Sequence, residues 1–114
     1  MSVHELGLAT AVVNAVQVRA QGRPVAKVRL HVGLLHHVHP GSFELSFEIA
    51  AMGTEVEGAL AEVVYEDVKV FCESCGACSE ADGLALVCPN CGSSSLRLLA
   101  GDELVLESVE YRTL

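Results

Sequence analysis

Two cysteine pairs, Cys72-x2-Cys75 and Cys88-x2-Cys91, stand with twelve residues between them and constrain this chain more than any other feature. The spacing is that of a tetrahedral site in which four thiolates hold one zinc ion, with no coordination position left for water or substrate. Such a site holds structure together and does not perform hydrolysis. Glycine follows each pair, at Gly76 and Gly92, where a residue without Cβ lets the backbone fold back and turn amide N–H groups toward the sulfurs. Pro89 stiffens the second turn. Two redox pairs or two disulfides would need an oxidising compartment or a thioredoxin-like βαβ setting, and the sequence offers neither.

A fifth cysteine, Cys78, makes Cys75-x2-Cys78 a second legal pair, and only one register can be used. Glycine follows Cys75 whereas Ser79 follows Cys78, which favours Cys72 and Cys75 as the ligands. Cys78 is then a free thiol beside the metal, either without a duty or with a redox or ligand-exchange role.

A chain of 114 residues suits one ordinary domain, or a small core joined to a metal-held module that could not bury enough apolar surface alone. The formal charge of −8 argues against nucleic acid, whose binding rests on Lys and Arg neutralising phosphates. Five aromatic residues, three Phe and two Tyr, are too few for a base-stacking surface. An acidic surface of this kind suits cation capture or docking on a basic partner. The first 18 residues hold no Lys or Arg, and Asn14 interrupts their apolar run, so no targeting segment or membrane span is expected. Reduced cysteines point to the cytoplasm.

Along residues 3 to 21, Leu6, Ala9, Val12, Val13, Val16 and Ala20 form a helical stripe that Gly22 and Pro24 end. Val28, Leu30 and Val32 alternate with Lys27, Arg29 and His31, the period of a half-buried strand. Pro40 opens a second helix in which Phe43, Phe47, Ala50 and Ala51 share one side, until Gly53 stops it. Residues 60 to 71 and 103 to 112 read as two further strands flanking the cysteines, with Ser79 to Gly83 as the tip of the inserted module and Gly92 to Ser95 as a flexible return. The fold class expected is α+β: a three-stranded antiparallel-type sheet with two helices on one face, plus an inserted four-cysteine zinc-ribbon-like module. The boundaries expected are residues 1–70 and 100–114 for the α+β domain and 71–99 for the zinc module.

Taken in order, the His4-Glu5-Leu6 opening, the strand ending Val32-Gly33, the helix after Pro40, the Gly53-Thr54 stop, the two knuckles and the closing Gly101-Asp102-Glu103-Leu104 strand resemble the HypA/HybF family of hydrogenase maturation proteins over nearly the whole chain. That resemblance implies a nickel metallochaperone and not an enzyme. It implies structural Zn(II) on Cys72, Cys75, Cys88 and Cys91, and Ni(II) as transferred cargo at an N-terminal site where His4 and Glu5 take the places of the family's His and Glu. It further implies work with a HypB-type GTPase on the [NiFe]-hydrogenase large-subunit precursor, and in some organisms on urease.

The family motif places His directly after the initiating Met, whereas Ser2 and Val3 intervene here. A small residue at position 2 favours removal of Met1, leaving Ser2-Val3-His4 as the terminus. The Ser2 amine, the amides of Val3 and His4 and the His4 imidazole can then close linked chelate rings around Ni(II), and four nitrogens in a plane suit Ni(II) or Cu(II). Ser2-x-x-Glu5 also reads as a capping box for the first helix. The two readings are compatible, because the first N–H groups of a helix lack internal acceptors.

His36, His37 and His39, with His31 on the preceding strand, form a second histidine-rich region, read either as a transition-metal cluster or as a solvated turn. A zinc-ribbon adaptor or regulator would share the cysteines without needing His4. A catalytic metalloenzyme would need an open metal position and a base, and the sequence has no HExxH motif, no Gly-rich phosphate loop and no nucleophile constellation.

Overall fold

The computed structural model describes residues 3–81 and 87–113. Its described residues fall into two compact units. One takes residues up to His31, Val38–Val64 and the chain from Val105; the other takes Val32–His37 and Tyr65–Leu104.

The first helix, α1, runs Val3–Ala20 and buries Ala9, Val12, Val13, Val16 and Ala20, the three- and four-residue spacing of one helical face. It ends where Gln21 and Gly22 take positive φ. Strand β1, Val25–Gly33, buries Val28, Leu30 and Val32 and turns Lys27, Arg29 and His31 to the other face. Those three meet acidic side chains on the flanking strands. Lys27 and Arg29 pair with Glu62, and Arg29 Nε lies 2.7 Å and His31 Nε2 2.6 Å from the Glu107 carboxylate. Helix α2, Ser42–Ala51, starts where the Glu44 carboxylate accepts the Gly41 N–H, and packs against α1. Phe43, Phe47 and Ala51 lie buried on one stripe of α2, while Ala50 is only half-buried.

Strands β2, Leu60–Glu66, and β6, Leu104–Tyr111, flank β1 in a sheet of order β2–β1–β6. A second sheet, of order β4–β3–β5, is built from β3, Val68–Cys72, β4, Cys78–Ala81, and β5, Leu96–Ala100. Both of its pairings are antiparallel. The segment 60 to 71, expected as one strand, is therefore two strands serving different sheets, with Asp67 between them. Strand-forming residues fill both halves, Val63, Val64 and Tyr65 in one and Val68, Val70 and Phe71 in the other, and the polar pair Glu66-Asp67 is the one break between them. Ser79, expected in a tip, lies in β4; Gly83 is outside the described residues.

Within the cysteine-bearing unit the backbone comes unusually close to itself. Leu35 N–H donates to the Gly101 carbonyl at 2.9 Å, and a Cβ placed on Gly33 would lie 2.0 Å from that same oxygen. Only glycine fits at Gly33.

Candidate metal centre

Strand β3 delivers Cys72 to the start of a tight turn in which Gly76 N–H donates to Cys72 O at 2.8 Å and Cys72 N–H donates to Ala77 O at 2.8 Å. The second knuckle repeats this pattern. Gly92 N–H donates to Cys88 O and Cys88 N–H to Ser93 O, both at 2.8 Å, and Gly76 and Gly92 share φ = 76°. A side chain at either glycine would strain that left-handed turn.

The two knuckles bring the sulfurs of Cys72, Cys75, Cys88 and Cys91 within 4.8 Å of one another. Cys72 Sγ lies 3.6 Å from Cys91 Sγ, and Cys75 Sγ 3.7 Å from Cys88 Sγ. An ion bound tetrahedrally by thiolates at about 2.3 Å spaces its sulfurs about 3.8 Å apart, so the cluster has the size a metal of that kind needs. Ser74 and Ser93 join their hydroxyls at 2.9 Å across the knuckles, and Asn90 Nδ2 donates to Cys75 Sγ at 3.5 Å. Asn90 is the leading cause that lowers the Cys75 thiol to about 6, helped by the Ala77 backbone. At Cys91 the Ser93 backbone bond pulls downward, but bonding to the other three sulfurs, together with burial, outweighs it and pushes the thiol up to about 12. Within this coupled group the contacts favour the charged form at Cys75 and the protonated form at Cys91.

Cys78 stands outside this group. It pairs with Phe71, the neighbour of Cys72 on β3, and adjacent residues of a strand face opposite ways, so Cys78 sits on the sheet face away from the Cys72 sulfur. It is exposed.

At the start of α1, Val3 is 89% exposed and His4 is also exposed, while Glu5 is only 2% exposed. Ser2, expected as a nickel ligand and a capping residue, lies outside the described residues. The Glu5 carboxylate accepts a hydrogen bond from His39 Nδ1 at 3.1 Å. Burial pushes the Glu5 carboxyl up, but hydrogen bonds from His39 and Ser42 and the charge of His39 outweigh it and leave it below the ordinary range.

The histidine-rich region does not converge. His31 engages Glu107, His36 Nε2 donates to the Asp102 carbonyl at 3.0 Å, and His39 turns to Glu5. Among the described residues the four cysteines alone form a group of three or more side chains able to hold a metal. Sequence reasoning did not find the Glu5–His39 contact, because 34 residues separate the partners and neither motif points to the other. It also missed Asn90, whose place inside the Cys88–Cys91 pair was the available signal.

Two helices, two three-stranded sheets and a four-thiol cluster on paired knuckles define a small α+β metal-binding protein with a zinc-ribbon-like insertion. A family model described as "Hydrogenase/urease nickel incorporation, metallochaperone, hypA" matches residues 3–111, and the chain belongs to that family, whose members are metallochaperones and not enzymes. The hydrogenase maturation factor HypA of Nitrosospira multiformis is 36% identical over 114 residues, covering 97% of this chain and 99% of that one. HypA of Trichormus variabilis is 34% identical, covering 95% of each. The solution structure of the Ni metallochaperone HypA from Helicobacter pylori shares the fold, with a TM-score of 0.60 at 22% identity over 94% of this chain and 96% of that one. A solution structure of a HypA protein gives 0.62 at 23% identity, covering 98% of each. Among the described residues, no helix is long and apolar enough to cross a membrane.

Proposed function

We propose that this protein carries Ni(II) to the [NiFe]-hydrogenase large-subunit precursor in the cytoplasm, working with a HypB-type GTPase and, in organisms that use it so, serving urease as well. The observation that carries the reading is the family match over residues 3–111 in a chain whose exposed His4 opens α1. The zinc module, residues 71–99, holds structural Zn(II) on Cys72, Cys75, Cys88 and Cys91. Soft thiolates in a closed set suit zinc and leave it nothing to catalyse. Residues 1–70 and 100–114 form the nickel-binding domain.

In this reading nickel binds as a one-to-one complex at the processed terminus, through the Ser2 amine, the Val3 and His4 amides and the His4 imidazole. Glu5 supports orientation or transfer. Binding displaces protons from those nitrogens, so affinity falls steeply as pH drops, and acid releases the cargo.

Nickel and zinc stoichiometry on untagged protein, read with the intact N-terminal mass, tests the proposal. Equimolar nickel that is lost in His4→Ala and on acetylation of Ser2 is the expected result. Acetylated protein that binds nickel as tightly as the free form would exclude the terminal chelate and move the site to His4 with Glu5 or the His36 to His39 turn. Zinc without nickel in every form would leave a zinc-ribbon adaptor or regulator.

A further inference from the structure

A groove runs between α2 and the start of β2, lined by none of the residues assigned above to either metal. Glu44, Phe47 and Glu48 line its helical wall and Gly58 to Ala61 the other, enclosing about 390 Å³. Phe47, 1% exposed, forms an apolar floor, and Leu60, 63% exposed, stands at the lip. The volume is that of a pocket able to take side chains of a ligand. The groove also opens beside a sheet margin. In the order β2–β1–β6, β2 is an end strand, so along Leu60–Val64 one side of its backbone has no strand partner among the described residues.

The charges say what can lie there. Glu44 and Glu48 stand one helical turn apart on the same wall, and Glu48 is exposed. The cation nearest Gly58 is Arg112, which donates to the carbonyls of Glu57 at 3.2 Å and Val25 at 3.2 Å. A second copy of this chain would bring its own net charge of −8 to an acidic wall, which disfavours self-association at this face.

We propose that the groove and the β2 margin form a docking site for an extended segment of a partner protein, in which an apolar side chain stands between two Lys or Arg on one face. Strand pairing along β2 supplies main-chain hydrogen bonds, while alternate side chains of the guest point toward the helix. The apolar one settles over Phe47 beside Leu60, and the cations reach Glu48 and Glu44, whose carboxylate also accepts the Gly41 N–H. The site is independent of nickel and does not rest on where nickel binds.

The probe is a fluorescein-labelled peptide, acetyl-Lys-Thr-Leu-Thr-Lys-Thr-amide, titrated with the full zinc-loaded chain. Saturable anisotropy that weakens with added salt is expected, with amide shifts confined to residues 44–48 and 58–64. A peptide with Glu in place of both Lys should not bind. Glu48→Lys and Leu60→Asp change exposed side chains, so circular dichroism should stay unaltered while affinity falls about tenfold in each. No binding at millimolar peptide, equal binding by the Glu peptide or by both variants, or shifts elsewhere would each overturn the proposal. A wild-type dimer in sedimentation that Glu48→Lys splits would also overturn it, because the groove would then be a contact between copies.

Discussion

The unit that carries both helices buries two phenylalanine rings, Leu30 and a series of valines. The unit that carries the cysteines buries, among the described residues, only the apolar side chains of Val32, Val68 and Val70 beside Cys72 and Cys88. An interior that small does not offset the entropy of ordering its own loops, and natural modules of this size add a covalent or metal cross-link. The two regions therefore draw their stability from different sources. One depends on apolar volume, the other on what binds four sulfurs.

The largest test of that contrast is Cys72→Ser. Metal affinity supplies folding free energy on the order of 10 kcal/mol in small zinc domains, so the variant should lose zinc and the native amide spectrum of the cysteine unit together. Cys78→Ser should keep both, as an exposed thiol on the far sheet face. Zinc content and heteronuclear spectra decide it, and zinc retained by Cys72→Ser but lost by Cys78→Ser would reverse the ligand register.

Phe47→Ala reverses the direction of the damage. Truncating a buried ring costs about 3–5 kcal/mol, which should appear as a lower denaturation midpoint for the helical unit while zinc stays at one per chain. Loss of zinc in this variant would mean that the units do not hold their stability separately. A more local effect is expected from Gly33→Ala, whose added Cβ would meet the Gly101 carbonyl at 2.0 Å. The Cβ meets backbone and not the end of a flexible side chain, so the 101–102 peptide must shift, and increased hydrogen exchange at Leu35, which donates to that carbonyl, should report it.

The smallest expected effect is on pH dependence. Because Glu5 is held below its ordinary range in the folded chain, its contribution is present above the unfolded carboxyl value and is lost as pH falls through the folded one. Denaturant titrations should show wild type losing more stability than Glu5→Gln on acidification. Identical acid profiles would show that the His39 contact contributes nothing to stability.

Much of this was legible beforehand where the signal is local. The 3.6-residue stripe from Ala9 to Ala20 and the two-residue alternation of Val28, Leu30 and Val32 are written in neighbouring residues, and the elements they predict are present. The cysteine spacing belongs to the same kind, since a knuckle is only a few residues long. What the sequence hid depends on distant partners. Only the polar pair Glu66-Asp67 marks the passage from β2 to β3, and it cannot say that the two halves of 60 to 71, both rich in strand-forming residues, pair in different sheets. Short β4 and β5 have no independent signature and exist as partners of β3. The histidines read as a cluster by proximity in sequence, yet His31, His36 and His39 are each claimed by a different distant acceptor.

The repetition of the two knuckles also governs how a bound ion is reached. Each turn contributes one sulfur from the interior, Cys72 or Cys88, and one from the surface, Cys75 or Cys91. A competing chelator or thiol is therefore expected to exchange first with the surface pair. On that expectation the rate at which metal leaves follows access to Cys75 and Cys91, while the strength with which it is held belongs to all four.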